Sequence, residues 1–452
     1  MIEALTLQGK CEITDITRFQ DHNGSVVDAF QNNENPQDED FVVSKYQRYL
    51  IASNRTNLTD TLFTGDSSGW DVSALQSVQD ADLINLHWVS EFINAESLQL
   101  LYELEKPIVW TLHDERAFTG GCHYTFGCMN YSESCSSCPQ VIEGLSWLPK
   151  FNLNARSKLR DIPLTFICPS NWIQSKLQQS KAFNEKSHHS QVIPNSIDLN
   201  TFKPIETEAI SSLKKKLNIE QDSICLLAGS FSLDDDRKGG AFVVDALKGL
   251  TSLLKSRKLS RKVVLLTYGT GTIPIDSIET KHLGFIQSEK QIARFLNVAD
   301  LFLSMTREDN LPNTIMESLA CGTPVISTDV GGISDMVTDN YNGKLIQRDN
   351  SRQMADAILH SIEDKKLLPK WSANARASAE LNFSHQKQGS EYIKVFNRLL
   401  EENSFKEPAK RRSPRKVIAN SAKRILALNS FPSKEYREEA LNWFEKHSLD
   451  EG

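Results

Sequence analysis

Asp309 and Glu317 stand eight positions apart in the stretch REDNLPNTIMESLACG, residues 307–322, with a third acid, Glu308, beside the first. An ionised carboxylate only accepts hydrogen bonds, and a vicinal diol donates two, so such acids suit a sugar and a ribose. Pro312 marks a helix entry, Asn313 is a candidate N-cap and Gly322 a candidate C′ residue. TIMESLAC is therefore expected to be a helix of about two turns, whose free N-terminal amides favour an anionic ligand. Two solvated acids on a surface helix would have the same spacing.

A second stretch, GSFSLDDDRKGG at residues 229–240, carries the opposite charge at its end. A strand is expected to stop at Ala228, Gly229 permits a tight turn, and Arg237, Lys238 and Gly239 open the next helix. A guanidinium beside an ammonium group at a strand-to-helix turn suits a phosphate or diphosphate. Arg-Lys pairs also occur as plain surface charge, and Asp234 to Asp236 could simply neutralise this one.

Two further groups lie earlier in the chain. His113-Asp114 follows the apolar run PIVWTL, at the strand end where open parallel sheets collect ligands. Gly120-Gly121 would let backbone approach a ligand closely. Cys122, Cys128, Cys135 and Cys138, half of the eight cysteines, follow a C-x5-C-x6-C-x2-C spacing with His123 alongside. Such clustering in a cytosolic chain favours metal or redox chemistry over stable disulfides. A structural zinc site would need four ligands, and only the last pair has the tight spacing. Zinc, reduced thiols and disulfides all stay open. Cys168, Cys225 and Cys321 sit in apolar runs and read as packing residues.

The elements that must hold these groups alternate along the chain. ADLINLHWV, PIVWTLHD and PLTFICPS read as buried strands, with helical stretches such as AESLQLLYELEK between them. VIPNSIDLNTFKPI, with two prolines and turn-forming residues, reads as a linker. SICLLAGS, KVVLLTYG, HLGFI, LFLSM, PVIST and GKLIQ then give a second series of strands. This pattern predicts two doubly wound α/β domains, residues 1–194 and 195–385. Residues 386–452 form a helical extension, interrupted by the basic stretch KEPAKRRSPRKVIANSAKR. That stretch reads first as a solvated linker and second as a peripheral contact with anionic lipid.

Composition sets the outer bounds. With 452 residues, 39% apolar and 24% charged, the chain is a globular protein of two or three domains. A net charge of −7 gives no general attraction for nucleic acid. No run approaches the roughly 18 apolar residues of a membrane helix. The first thirty residues mix acids and polar groups, unlike a signal peptide. The expected compartment is the cytosol, where the Asn-x-Ser/Thr matches at Asn23, Asn54 and Asn57 carry no meaning.

These motifs together resemble family 4 retaining glycosyltransferases of the GT-B fold. REDNLPNTIMESLACGTPVISTDVGG is similar to the family's signature of an acid, seven residues and a Glu on a helix. Asp309 and Glu317 take those two positions, with Asp for the commoner Glu. VIPNSID resembles the inter-domain VIPNGID, and RKGG the diphosphate-binding element. ADLINLHW and WTLHDERAFTGGCHY resemble a bacterial branch active in surface-polysaccharide assembly.

The resemblance implies two Rossmann-like domains facing a cleft, the first for the acceptor and the second for a nucleotide-sugar donor. Arg237 and Lys238 would stabilise the departing diphosphate, Glu317 would hold the ribose, Asp309 would contact the donor sugar, and His113 would face the donor sugar or the acceptor. Gly229, Gly284, Leu311, Pro312, Asn313 and Thr314 would complete the donor site. No metal cofactor is implied. The acceptor would be a glycan or a lipid-linked sugar, and configuration would be retained. MIEALTLQGKCEITDI departs from the family's opening strand and Gly-Gly loop, which leaves a second reading: a non-catalytic binder of nucleotide sugars or glycans.

Overall fold

Strands that carry helices on both faces bury every side chain, so they appear in sequence as unbroken apolar runs. The computed structural model of the chain describes residues 41–183, 188–259, 261–273, 275–403 and 416–418, with only the backbone given at 41–45, 68 and 416–418. These residues fall into two compact units. The first runs chiefly through 41–169, 173–192 and 392 onward, the second through 193–391. The altered opening strand and Gly loop, most of the basic stretch and the last helix lie outside the described residues.

The first unit has short strands β1 (Ser68–Trp70), β2 (Ile84–Leu86), β3 (Ile108–Thr111), β4 (Thr165–Cys168) and β5 (His189–Val192). β2 to β5 form one parallel sheet in chain order, with Ile84 opposite Ile108 and Val109 opposite Thr165. The sequence reading missed β5, because HSQV has no apolar run to mark it.

The second unit holds β6 (Ile224–Ser232), β7 (Val263–Thr270), β8 (Glu279–His282), β9 (Leu301–Ser304), β10 (Val325–Thr328) and β11 (Gly343–Ile346). Their order is β11-β10-β9-β6-β7-β8, and every pairing is parallel. Cys225 and Leu227 of β6 join the core on one face of the sheet, with Val264, Phe302 and Ile315. Ile224, Leu226 and Ala228 join the other core, with Val243, Leu247 and Leu303. Each fully buried Leu contributes about 1.5–3 kcal/mol. Helices therefore cover both faces of this sheet. Strand β12 (Lys416–Ile418) pairs antiparallel with β1 in the first unit.

Several boundaries differ from those expected. β6 does not end at Ala228 but continues through a register shift to Ser232. The next α-helix consequently starts at Gly240, and Asp236–Lys238 form only a short 3-10 turn. HLGFI is not a strand beyond His282, because Gly284 turns the backbone to φ +74°. Asn313 is the first helical residue, not the N-cap, which is Pro312. The segment read as a linker is packed down: Ile197 N donates to Phe383 O at 2.8 Å, and Arg376 Nη1 to Phe202 O at 2.8 Å. Among the described residues no helix is long and apolar enough to cross a membrane.

Candidate functional site

The chain runs β6, β7, β8 toward one edge of the second sheet and then returns to place β9 against the other side of β6. At such a reversal the loops leaving the carboxyl ends of the two central strands diverge and open a crevice. The loop after β6 ends in Arg237 and Lys238; the loop after β9 carries Asp309. The two charged stretches singled out in the sequence are thus brought to one place.

Asp309 ties them together. Its Oδ2 accepts from Lys238 Nζ at 2.6 Å and from Arg237 Nη1 at 2.9 Å. The same Nη1 donates to Glu308 O at 3.0 Å, while Arg237 O accepts from Arg307 N at 2.7 Å and Thr306 Oγ1 at 3.0 Å. Burial pushes the Asp309 carboxyl up, but Lys238 and then Arg237 outweigh it and hold it below the usual carboxylate range. Asp309 is therefore ionised and two cations share it. The acids beside the cations are engaged too: Asp235 Oδ1 accepts from Arg237 N at 2.9 Å, and Asp236 pairs with Arg307 at 2.5 Å.

Close backbone approach fixes both loops. Gly239 has φ +70°, and a Cβ there would lie 2.1 Å from Met305 O. Gly331, in the TDVGG turn, has φ +60°, and its Cβ would lie 1.7 Å from Asp309 O. Gly332 N donates to that same carbonyl at 3.1 Å. Only residues without a side chain can seat these turns against the Asp309 loop.

The helix Asn313–Ala320 follows directly, without a side-chain cap at its start. It closes as expected at Gly322: Thr323 N donates to Ser318 O at 2.9 Å and Gly322 N to Leu319 O at 3.0 Å. That is the Schellman pattern, with Gly322 at φ +74°. Gly229, Lys238, Pro312 and Thr314 line one pocket with Ser230 and Thr306. Leu311 is buried in the core, so its side chain serves packing, and Asn313 is exposed. Gly284 lies past β8, where its carbonyl accepts from Gly269 N at 3.0 Å.

Glu317 sits one turn into the helix in different surroundings. Burial, then the nearby Glu289, pushes its carboxyl up to about 7. It lies close enough to Tyr268 for its charge to raise that phenol further than burial alone does. Tyr268 OH is buried with no hydrogen-bond partner, an arrangement that asks for a ligand or water. Phe231 and Phe285 are 77% and 46% exposed and meet edge to face at 5.2 Å. None of these three aromatics was singled out in the sequence: Tyr268 and Phe285 sit in runs that read simply as strand, and Phe231 in a turn that stands out for its charges.

His113 belongs to the first unit, just past β3, and keeps an exposed edge. Its Nε2 lies 2.8 Å from His87 Nδ1. Asp114 is fully engaged: Oδ2 pairs with His123 Nδ1 at 2.6 Å and accepts from Trp88 Nε1 at 3.0 Å, and Oδ1 accepts from Arg116 N at 2.8 Å. Burial raises the Asp114 carboxyl, but His123, the Arg116 N–H and Trp88 together outweigh it and hold the group below its ordinary value. Asp114 thereby fixes Trp88, whose ring is 56% exposed, beside His87 and His113 in a second pocket.

The cysteine loop lies in the same unit. Cys122, Cys128, Cys135 and Cys138 are free thiols. Burial pushes Cys122 well up and Cys135 to about 12. Among the described residues no group of three or more His, Cys, Asp or Glu side chains is disposed to hold a metal. The four-cysteine zinc set is not assembled in this geometry, and no chemistry is routed through it.

Comparison with known proteins agrees with the geometry. Residues 222–364 match the family model described as Glycosyl transferases group 1. A putative colanic acid biosynthesis glycosyl transferase, WcaC of Escherichia coli, is 24% identical over 304 residues, covering 65% of this chain and 68% of that protein. An N,N'-diacetylbacillosaminyl-diphospho-undecaprenol alpha-1,3-N-acetylgalactosaminyltransferase of Campylobacter jejuni is 22% identical over 45% of this chain and 53% of its own length. Among solved structures, Anabaena HepE in complex with UDP matches with TM-score 0.54 and 19% identity, covering 73% of this chain and 82% of that one. A glycosyltransferase from Rickettsia africae matches with TM-score 0.53 and 16% identity, over 82% of this chain and 84% of that one. The two parallel-sheet units thus have the fold of GT-B glycosyltransferases, and residues 222–364 are similar to glycosyl transferases group 1.

Proposed function

We propose that this chain transfers a sugar from a nucleotide-sugar donor to a glycan or lipid-linked acceptor, with retention of configuration, in surface-polysaccharide assembly. The observation that carries the reading is the sharing of Asp309 by Arg237 and Lys238 at the reversal of the second sheet. A diphosphate entering there replaces the carboxylate as the partner of both cations. Charge that builds on the leaving diphosphate is then met by groups already in place, and such preorganised electrostatic stabilisation commonly supplies most of an enzyme's rate enhancement. The cations and the helix N-terminus supply the positive charge that a divalent metal would otherwise bring. Asp309, released from the cations, becomes an acceptor for a sugar hydroxyl.

Glu317 and Tyr268 suit the ribose, one accepting from its hydroxyls and the other donating. Phe231 and Phe285 offer flat apolar surfaces for a base. In the first unit His113 provides a polar contact for a sugar and Trp88 a rigid aromatic face. The names of the relatives, colanic acid biosynthesis and a diphospho-undecaprenol substrate, support the polysaccharide and lipid-linked parts of the reading. The test is thermal unfolding of the full chain with UDP, GDP and ADP and their sugar conjugates, followed by mass spectrometry of products. A melting shift with one nucleotide and consumption of its sugar conjugate is expected. Binding without turnover would favour the non-catalytic reading, and no shift with any of them would end the reading as a nucleotide-sugar transferase.

A further inference from the structure

Two imidazoles meet at the carboxyl ends of the adjacent strands β2 and β3. His87 Nδ1 and His113 Nε2 are 2.8 Å apart, and the rings stack with centroids 5.1 Å apart. A contact this short needs one proton, so one nitrogen donates and the other accepts. Burial, then the neighbouring His113, pushes His87 down to about 3. Burial also lowers His113, against the opposing pull of Asp114. Each ring is neutral near pH 7 and carries a single N–H.

Where that N–H sits follows from the partners. Asn85 Nδ2 lies 3.2 Å from His87 Nε2. An amide nitrogen donates and never accepts, so His87 Nε2 is the acceptor and the His87 proton is on Nδ1. Nδ1–H then donates to His113 Nε2, which leaves the His113 proton on Nδ1. The amide itself is oriented from behind: Thr111 Oγ1 donates to Asn85 Oδ1 at 3.4 Å, and Tyr392 OH is 3.0 Å from Thr111 Oγ1. With its own proton given to Asn85, Thr111 accepts from Tyr392. Both hydroxyls are buried, and burial raises the Tyr392 phenol, which keeps it protonated. Polarity therefore runs one way through Tyr392, Thr111, Asn85, His87 and His113.

We propose that His87 is a positioning residue which relays the polarity of the Asn85 amide and fixes His113 as the Nδ1–H tautomer. Neither Asn85 nor His87 needs to touch substrate for this. The functional consequence rests on the reading above that His113 contacts a sugar: His113 then offers a donor to a sugar oxygen and discriminates against a group that can only donate. Ring orientation and tautomer are both set before substrate arrives, which is how a second layer of hydrogen bonds supports a site.

The test uses the full chain labelled with 15N-histidine, with the His113 signals assigned by their loss in a His113→Asn variant. Two-bond proton–nitrogen correlation at neutral pH separates a protonated ring nitrogen from a bare one. The expected result is a protonated Nδ1 and a bare Nε2 for His113. In Asn85→Leu, which removes the obligatory donor, both shifts should move toward the average of the two tautomers. Tyr392→Phe should cause a smaller movement in the same direction. An Nε2–H tautomer in the unaltered chain, or unchanged His113 shifts in both variants, would overturn the proposal. Should Asn85→Leu not fold, the unaltered chain and Tyr392→Phe still decide. Donor turnover by Asn85→Leu is expected to fall on the order of tenfold with little change in donor KM. Shifts that move while turnover does not would leave the relay standing and remove the substrate contact of His113.

Discussion

Lys238 Nζ lies 2.6 Å from Asp309 Oδ2, so a cation from the loop after β6 and an acid from the loop after β9 are bonded across the reversal of the second sheet. The two residues are 71 positions apart in sequence, and the side chain of Asp309 is only 9% exposed. Replacing Asp309 with Asn keeps the shape and removes the charge shared by two cations. The expected loss is about 1–3 kcal/mol of stability at neutral pH, read from thermal or urea unfolding. The folded carboxyl titrates below its ordinary value, so its contribution is full above the ordinary carboxylate range and disappears as pH falls through the folded value. The variant and the unaltered chain should therefore converge in stability toward strong acid.

Glu317 titrates in the opposite sense. Its folded value of about 7 exceeds the ordinary one, so the folded chain holds this proton to a higher pH than the unfolded chain does. Its contribution to stability thus falls as pH rises from the ordinary carboxylate range to about 7. Binding of a ribose diol gains from the ionised form, so nucleotide affinity should rise as pH passes through about 7. Glu289 is exposed and contributes to the shift by repulsion. Glu289→Gln should move the midpoint to lower pH, and Glu317→Gln should flatten this part of the profile. Isothermal titration with the preferred nucleotide at several pH values checks both.

Gly331→Ala tests whether the glycine turn seats the Asp309 loop. Its φ of +60° and the 1.7 Å approach to Asp309 O leave no room for a methyl group. A loss of about 1–3 kcal/mol is expected, together with slower donor turnover. Gly144→Ala, where a Cβ meets nothing within 4 Å, serves as the control.

Phe231→Ala removes the more exposed ring of the pair proposed to face the base. Affinity for the free nucleotide should fall about tenfold, the effect of losing one stacking contact. The melting temperature without ligand should scarcely change, since the ring is 77% exposed. Equal losses with ribose 5-phosphate, which has no base, would place the ring elsewhere.

Much of this architecture is written in local patterns. LFLSM, PVIST and KVVLLTYG have helices on both sides, so their burial shows as continuous apolar runs, and Gly322 closes its helix as its position suggests. What is absent from the pattern depends on partners distant in sequence. β5 has no apolar run, and the extension of β6 to Ser232 depends on its pairing with Thr270. The acids and cations were legible as types, but their bonding to one another was not. Tyr268 matters because its hydroxyl is orphaned beside Glu317, and Asn85 because of the ring it faces. His87 and Trp88 stand in plain view in ADLINLHW, yet only the neighbouring strand shows what they bond to.

The most direct test of the account is donor turnover by the full chain and by Lys238→Ala and Arg237→Ala. Consumption of the preferred sugar nucleotide would be followed without added metal and with a chelator present. The account predicts turnover by the unaltered chain and a fall of roughly 100- to 1,000-fold in kcat for either variant, with a smaller change in donor KM. Turnover that survives both substitutions undiminished would contradict it.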